Sequence, residues 1–142
     1  MGKKRIIKKE GGSIKGNNAS SSRAPKKKIA SATLHVEASF NNTKAVVTDK
    51  TGNAIFSSSA GALGFRGAKK GTPFAASKVG EVLGEKSSAL GIKEVDVIVK
   101  GVGSGREPTI RAFMTHNIEI SAIRDRTPVP HNGPKKKKPR RV

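Results

Sequence analysis

From Ala32 the chain alternates in polarity: Leu34, Val36, Ala38 and Phe40 fall on one side, and His35, Glu37 and Ser39 on the other. A period of two is the mark of a half-buried strand. After the Asn41-Asn42 turn a second strand is predicted from Thr43 to Asp49. Asp49 to Asn53 then reads as a turn into a short third strand, Ala54 to Ser59. Three strands joined by tight turns make an antiparallel meander. Gly61 to Gly71 is too rich in glycine to predict an element. At Thr72 the period changes: Thr72 suits an N-cap, Pro73 the first helical position, and Ala75, Val79, Val82, Leu83 and Leu90 recur at helical spacing until Gly91 ends the run. Gly80 and Gly84, four residues apart, each cost about 1 kcal/mol against alanine unless they allow close packing. Lys93 to Lys100, with Val95, Val97, Ile98 and Val99, reads as a strand more apolar than an edge would be. A second helix starting at Pro108 is expected to bury Ile110, Phe113 and Met114, and Ile118, Ile120 and Ile123 mark a last strand before Asp125. Strand, strand, strand, helix, strand, helix, strand predicts an α/β domain on a mixed five-stranded sheet, its crossovers parallel and right-handed.

Charge adds what periodicity does not show. The 142 residues carry 29 Lys and Arg against 10 Asp and Glu, a net +19. The excess is uneven: residues 1–29 hold ten basic and one acidic residue, 30–126 thirteen and nine, and 127–142 six and none. The first segment mixes Lys3-Lys4-Arg5, Lys8-Lys9 and Lys26-Lys27-Lys28 with Gly, Ser and Asn. The last sets Pro128, Pro130, Pro134 and Pro139 around Lys135 to Lys138 and Arg140-Arg141. Neither offers enough apolar surface to offset its own ordering, so residues 1–29 and 127–142 read as basic arms, the first disordered, on a domain of residues 30–126. Hydrophobic residues are only 34% of the chain, which agrees with part of it being organised by a partner. That partner is expected to be anionic.

Several classes of function fall away. Without cysteine there is no disulfide framework, cysteine-ligated zinc or cysteine nucleophile. No apolar run approaches the ~18 residues of a membrane span, and no signal segment follows the basic start, so a soluble cytoplasmic protein is expected. In that setting the glycosylation pattern at Asn41-Asn42-Thr43 is empty. His35, His116 and His131 are scattered, and Glu37, Asp49, Asp96 and Asp125 are spread over four elements. Neither a triad, a metal centre nor a nuclease carboxylate cluster is indicated. With five Phe and no Tyr or Trp, the chain is no aromatic stacking platform.

Two glycine loops remain. Gly101-Val102-Gly103-Ser104-Gly105-Arg106 lies between strand and helix, where backbone amides can cradle phosphate. It lacks the Gly-Lys-Ser/Thr of a Walker loop, and the third Rossmann glycine falls at Arg106. With Arg106 and Arg111 beside it, an RNA or DNA backbone suits it better than a nucleotide. The loop from Leu63 to Thr72 carries Arg66, Lys69 and Lys70 with no acidic residue nearby, and reads as a phosphate-contacting loop. Phe65 in that loop is either a stacking residue or a local packing anchor.

Four stretches taken together, Ala38 to Thr43, Gly64 to Gly67 followed by Thr72 to Ala76, Lys100 to Glu107, and Asp125 to Gly133, closely resemble the universal small-subunit ribosomal protein S-eleven family, bacterial type. The resemblance spans about residues 30 to 142. It departs after Asn132-Gly133, where the bacterial pattern runs Cys-Arg-Pro and this chain has Pro134-Lys135-Lys136. What it implies is a three-layer α/β/α ribonuclease-H-like domain without nuclease carboxylates. Such a protein bridges several rRNA helices on the platform of the small subunit, needs no cofactor, and borders the Shine-Dalgarno region of the mRNA. Implied neighbours are ribosomal proteins S-seven and S-eighteen, with initiation factor three nearby. Carried over by residue, the expected RNA contacts are Asn41, Asn42, Thr43, Arg66, Lys69, Lys70, Ser104, Gly105, Arg106, His131 and Asn132. Charge alone adds Lys26, Lys27, Lys28, Lys135, Lys136, Lys137, Lys138, Arg140 and Arg141. Two rival functions are a free nucleic-acid-binding protein, nucleoid or regulatory, and a nucleotide-dependent enzyme built on the glycine loop. An organelle form would want an Arg-rich leader, and this one has eight Lys to two Arg. Asn132 before Gly133 in a flexible tail is a candidate site for isoaspartate formation, because the next amide is free to attack the side chain.

Overall fold

The computed structural model describes residues 29–139. Five strands, β1 (Ser31–Ala38), β2 (Thr43–Asp49), β3 (Ala54–Ser59), β4 (Glu94–Lys100) and β5 (Glu119–Asp125), form one sheet in the order β3-β2-β1-β4-β5. The first three pair antiparallel, and β4 and β5 run parallel to β1. Two helices, α1 (Pro73–Ala89) and α2 (Arg106–Met114), make the crossovers. Class, strand count and helix count are those the periodicity predicts.

The helix ends follow their sequence signals. The Thr72 hydroxyl accepts from the Ala75 amide at 3.4 Å and donates to the Lys69 carbonyl at 2.7 Å. Pro73 sits in the first turn, where no intrahelical donor is needed. At the other end Ile92 N–H bonds to Ser87 O and Gly91 N–H to Ser88 O, with Gly91 at φ +82°. This is a Schellman stop, and Ile92, buried after it, pins the exit to the core.

One face of the sheet carries the core. Leu34, Val36, Val47, Val95, Val97 and Val99 cluster with Val79, Leu83 and Phe113. Seven of the eighteen buried hydrophobic residues among those described are alanine, so the layers lie close together. α1 and α2 also lie against each other: a Cβ on Gly80 would strike the Thr109 carbonyl, and one on Gly84 the His116 ring. The Thr109 hydroxyl bridges the two helices, donating within reach of the Ala76 carbonyl (3.2 Å) and the Gly105 carbonyl (2.7 Å).

Several details differ from the sequence pattern. Helices on both faces are implied by the resemblance. Among the described residues they share one, because both crossovers advance across the sheet in the same direction and no helix follows β5. The open face leaves His35, Val46 and Ile98 half-buried. Phe40 does not continue the buried side of β1. The strand ends at Ala38, and Phe40 stands 79% exposed in the turn. Met114 is likewise exposed, since α2 ends there, while Phe113 is fully buried. α2 begins at Arg106, not Pro108, because proline is harmless in a first turn whose amides have no helical partner. Gly67–Gly71 forms a 3-10 turn despite its glycines.

Candidate nucleic-acid interface

Because β1, β3, β4 and β5 all run the same way and β2 the opposite way, one end of the sheet collects the 39–42 turn, the 60–72 loop, the 101–105 loop and the start of the tail. Both helices begin at this end and add the positive pole of their dipoles. The carboxyl ends of parallel strands are where open α/β sheets bind ligands. In or within two residues of these loops stand Lys44, Arg66, Lys69, Lys70, Lys100, Arg106, Arg124 and Arg126, against Glu37, Glu107 and Asp125. By the same measure the loops at the opposite end, 50–53, 90–93 and 115–118, carry Lys50 and Lys93 against Asp49, Glu94 and Glu119. The domain is thus polarised along its strands, positive where the loops gather.

The glycines at this end make room for the chain itself. A Cβ on Gly71 would meet the Phe40 carbonyl, one on Gly101 the Ala38 carbonyl, and one on Gly103 the Ser39 carbonyl. Gly103 N–H also donates to Ala38 O at 2.9 Å, and the Ser104 hydroxyl to Gly71 O at 3.1 Å. Two loops are therefore clamped around the 39–42 turn, which is closed by the Ser39 amide and hydroxyl donating to Asn42 O. The backbone of Ala38-Ser39 fills the space beneath the glycine loop. Asn41, Lys69 and Ser104 are brought together on the exposed rim of this clamp, with Lys70 half-buried beside them. Asn42 is half-buried with its Oδ1 unpartnered. Thr43 is fully buried and Gly105 packs directly onto it. Arg66 is exposed at the entry to the 3-10 turn.

Arg106 points inward along the rim. Its Nη1 donates to Gly101 O at 2.7 Å and its Nη2 pairs with Asp125. The Asp125 carboxylate also accepts from the Thr127 hydroxyl (2.6 Å) and amide (2.9 Å). The Thr127 hydroxyl, then Arg106, then the Thr127 amide hold Asp125 at a pKa of about 2, below the ordinary 3.8. Beyond it His131, Asn132 and Lys135 to Lys138 lie exposed in a tail without helix or strand, and Asn132 has φ 54°. Lys26, Lys27, Lys28, Arg140 and Arg141 lie outside the described residues.

Sequence reasoning did not single out Lys44, Lys100, Arg124 and Arg126. They sit at strand ends, and only the strand order shows that those ends coincide. Phe65 turns out to pack: it is half-buried against the core and meets the Phe74 ring edge-on at 6.1 Å, while Lys78 lies over Phe74. Among the described residues no group of three His, Asp or Glu could hold a metal ion, and no helix is long and apolar enough to cross a membrane. The model of one protein family, described as ribosomal protein S11, matches residues 32–141.

Proposed function

The chain belongs to the ribosomal protein S11 family, and from that premise we propose that its positive sheet end and C-terminal tail together bridge rRNA helices. Family membership makes it a structural, rRNA-binding component of the small ribosomal subunit and not an enzyme. The finer reading is that it is of the bacterial type, sits on the platform beside proteins S-seven and S-eighteen, and borders the Shine-Dalgarno region and the site of initiation factor three. Residues 30–126 act as the folded reader, and residues 1–29 and 127–142 as basic arms.

The observation that carries this reading is the charge polarity of the domain: five more basic than acidic residues around the clamped loops, and one more acidic than basic around the loops of the far end. Neutralising phosphate releases counterions, so this end supplies affinity, while the clamp fixes the spacing of its charges and supplies shape. Exposed Phe40, Val102 and Val129 beside those charges suit a surface that meets RNA and protein together. The test is protein–RNA crosslinking of intact small subunits purified on a sucrose gradient. The protein should stay with small subunits at moderate salt and crosslink through Asn41, Lys69, Lys70, Lys100 and the tail. Release as a free nucleic-acid binder, or crosslinks confined to Lys50 and Lys93, would overturn the reading.

A further inference from the structure

The carboxylate of Asp125 stands among the cations at the positive end of the sheet, where repulsion from phosphate argues against an acidic residue. Its hydrogen bonds account for it. The chain leaves the sheet here: Arg126 N–H still bonds to Val99 O at 2.8 Å, and the next residue turns away. At that turn the Thr127 hydroxyl donates to Asp125 Oδ1 (2.6 Å) and accepts from Gly101 N–H (3.2 Å). A hydroxyl has one proton, so serving both partners fixes its orientation. Arg106 closes the circuit, with Nη1 on Gly101 O (2.7 Å) and Nη2 on Asp125 Oδ2. Gly101, Thr127, Asp125 and Arg106 thus form a closed ring drawn from the glycine loop, the start of α2 and the root of the tail.

We propose that this ring aims the C-terminal tail at the RNA, and that Arg106 acts as a positioning residue whose guanidinium is engaged within the protein and not on phosphate. The ring is surface-exposed, with the side chains of Arg106 and Asp125 34% and 51% accessible, and exposed ion pairs add little to global stability. What it does control is direction. Residues 128–139 follow with no helix or strand to guide them, so the bonds at Thr127 set where His131 and Lys135 to Lys138 point. The Gly101 carbonyl and amide are both in the ring, so the tail and the glycine loop are positioned jointly. The low pKa of Asp125 agrees with a carboxylate that stays charged in this setting.

The inference rests on this end being the RNA-binding one, and its test has two arms. In the free full-length protein, Asp125→Asn should speed amide hydrogen exchange at Thr127 and Gly101 about tenfold, as expected for losing a charge-assisted hydrogen bond. Unchanged exchange overturns the ring. In the second arm the probe is small subunits assembled without this protein. Asp125→Asn should bind about tenfold more weakly although it removes a negative charge, and equal or tighter binding overturns the positioning role. Thr127→Val, which alters no charge, should lose affinity likewise, while Thr127→Ser keeps the hydroxyl and should retain it. Arg106→Gln should weaken binding without changing its salt slope. A slope lower by about 1 would make Arg106 a phosphate contact and overturn the assignment. Failure of the unaltered protein to bind these subunits would instead overturn the proposed function, leaving the exchange arm to decide the ring.

Discussion

An acidic residue among cations costs least when its charge is fully used, and Asp125 is the case at hand. Its folded pKa lies below the ordinary value, so the ionised form is favoured by folding. The stabilisation is complete above pH 3.8 and is lost as pH falls through about 2. NMR titration of the Asp125 carboxyl should give a midpoint of about 2. Thr127→Val and Arg106→Gln should each raise it, because the Thr127 hydroxyl and the Arg106 guanidinium both lower it. A midpoint at 3.8 in the unaltered protein would refute the ring's chemistry. Asn132 is the second residue whose chemistry can be read locally, exposed, at φ 54° and followed by Gly133. On ageing, the tryptic peptide from Thr127 to Lys135 should gain an isoaspartyl form, detectable by mass spectrometry and suppressed by Gly133→Val. An aged peptide with unaltered Asn132 would refute it. The two residues differ in legibility. Asn132 depends on its neighbour in sequence, whereas Asp125 depends on an arginine nineteen positions earlier, and no spacing rule connects them.

Among the elements, the α1–α2 pair shows why two unfavourable helix residues are kept. Gly80 and Gly84 face α2 at the crossing, where the Thr109 and Phe113 carbonyls take the place of side chains. Helix propensity alone would reward Gly80→Ala by about 1 kcal/mol. Forcing a methyl group into a filled contact costs roughly 1–3 kcal/mol, and here the obstacle is backbone. The substitution should therefore destabilise the domain by about 1 kcal/mol or more, seen as a lower urea midpoint. A stabilised variant would show that the helices are not packed this closely. The glycine spacing was visible in the sequence as a request for close packing, and the caps of α1, Thr72 and Gly91, were legible because capping is local chemistry. Two features were not. Periodicity cannot tell which face of a sheet a helix covers, so the one-sided arrangement required the strand order. Nor does alternation show where a strand ends, which is why Phe40 extends the apolar pattern of β1 in the sequence and yet stands exposed in the fold.

At the scale of the whole molecule the question is whether net charge or its placement drives binding. Of the +19, the two arms account for +15 and the domain for +4. That small remainder conceals the separation of a positive end from an acidic one. The seven-residue strands between them span about 23 Å, more than two Debye lengths of about 8–10 Å at physiological ionic strength. Charges at the far end are therefore screened from RNA bound at the near end. Lys69→Gln with Lys100→Gln removes two positive charges from the loop end, and Lys50→Gln with Lys93→Gln removes two from the other. Net charge falls equally in both, and neither pair has a salt bridge among the described residues. If placement governs, the first pair should reduce the slope of log affinity against log salt by about 0.7–0.9 for each phosphate that is no longer neutralised. The second should leave it unchanged. An equal drop in slope for the two variants, measured on small subunits assembled without the protein, would mean that the domain contributes only bulk charge and that the arms alone hold the RNA.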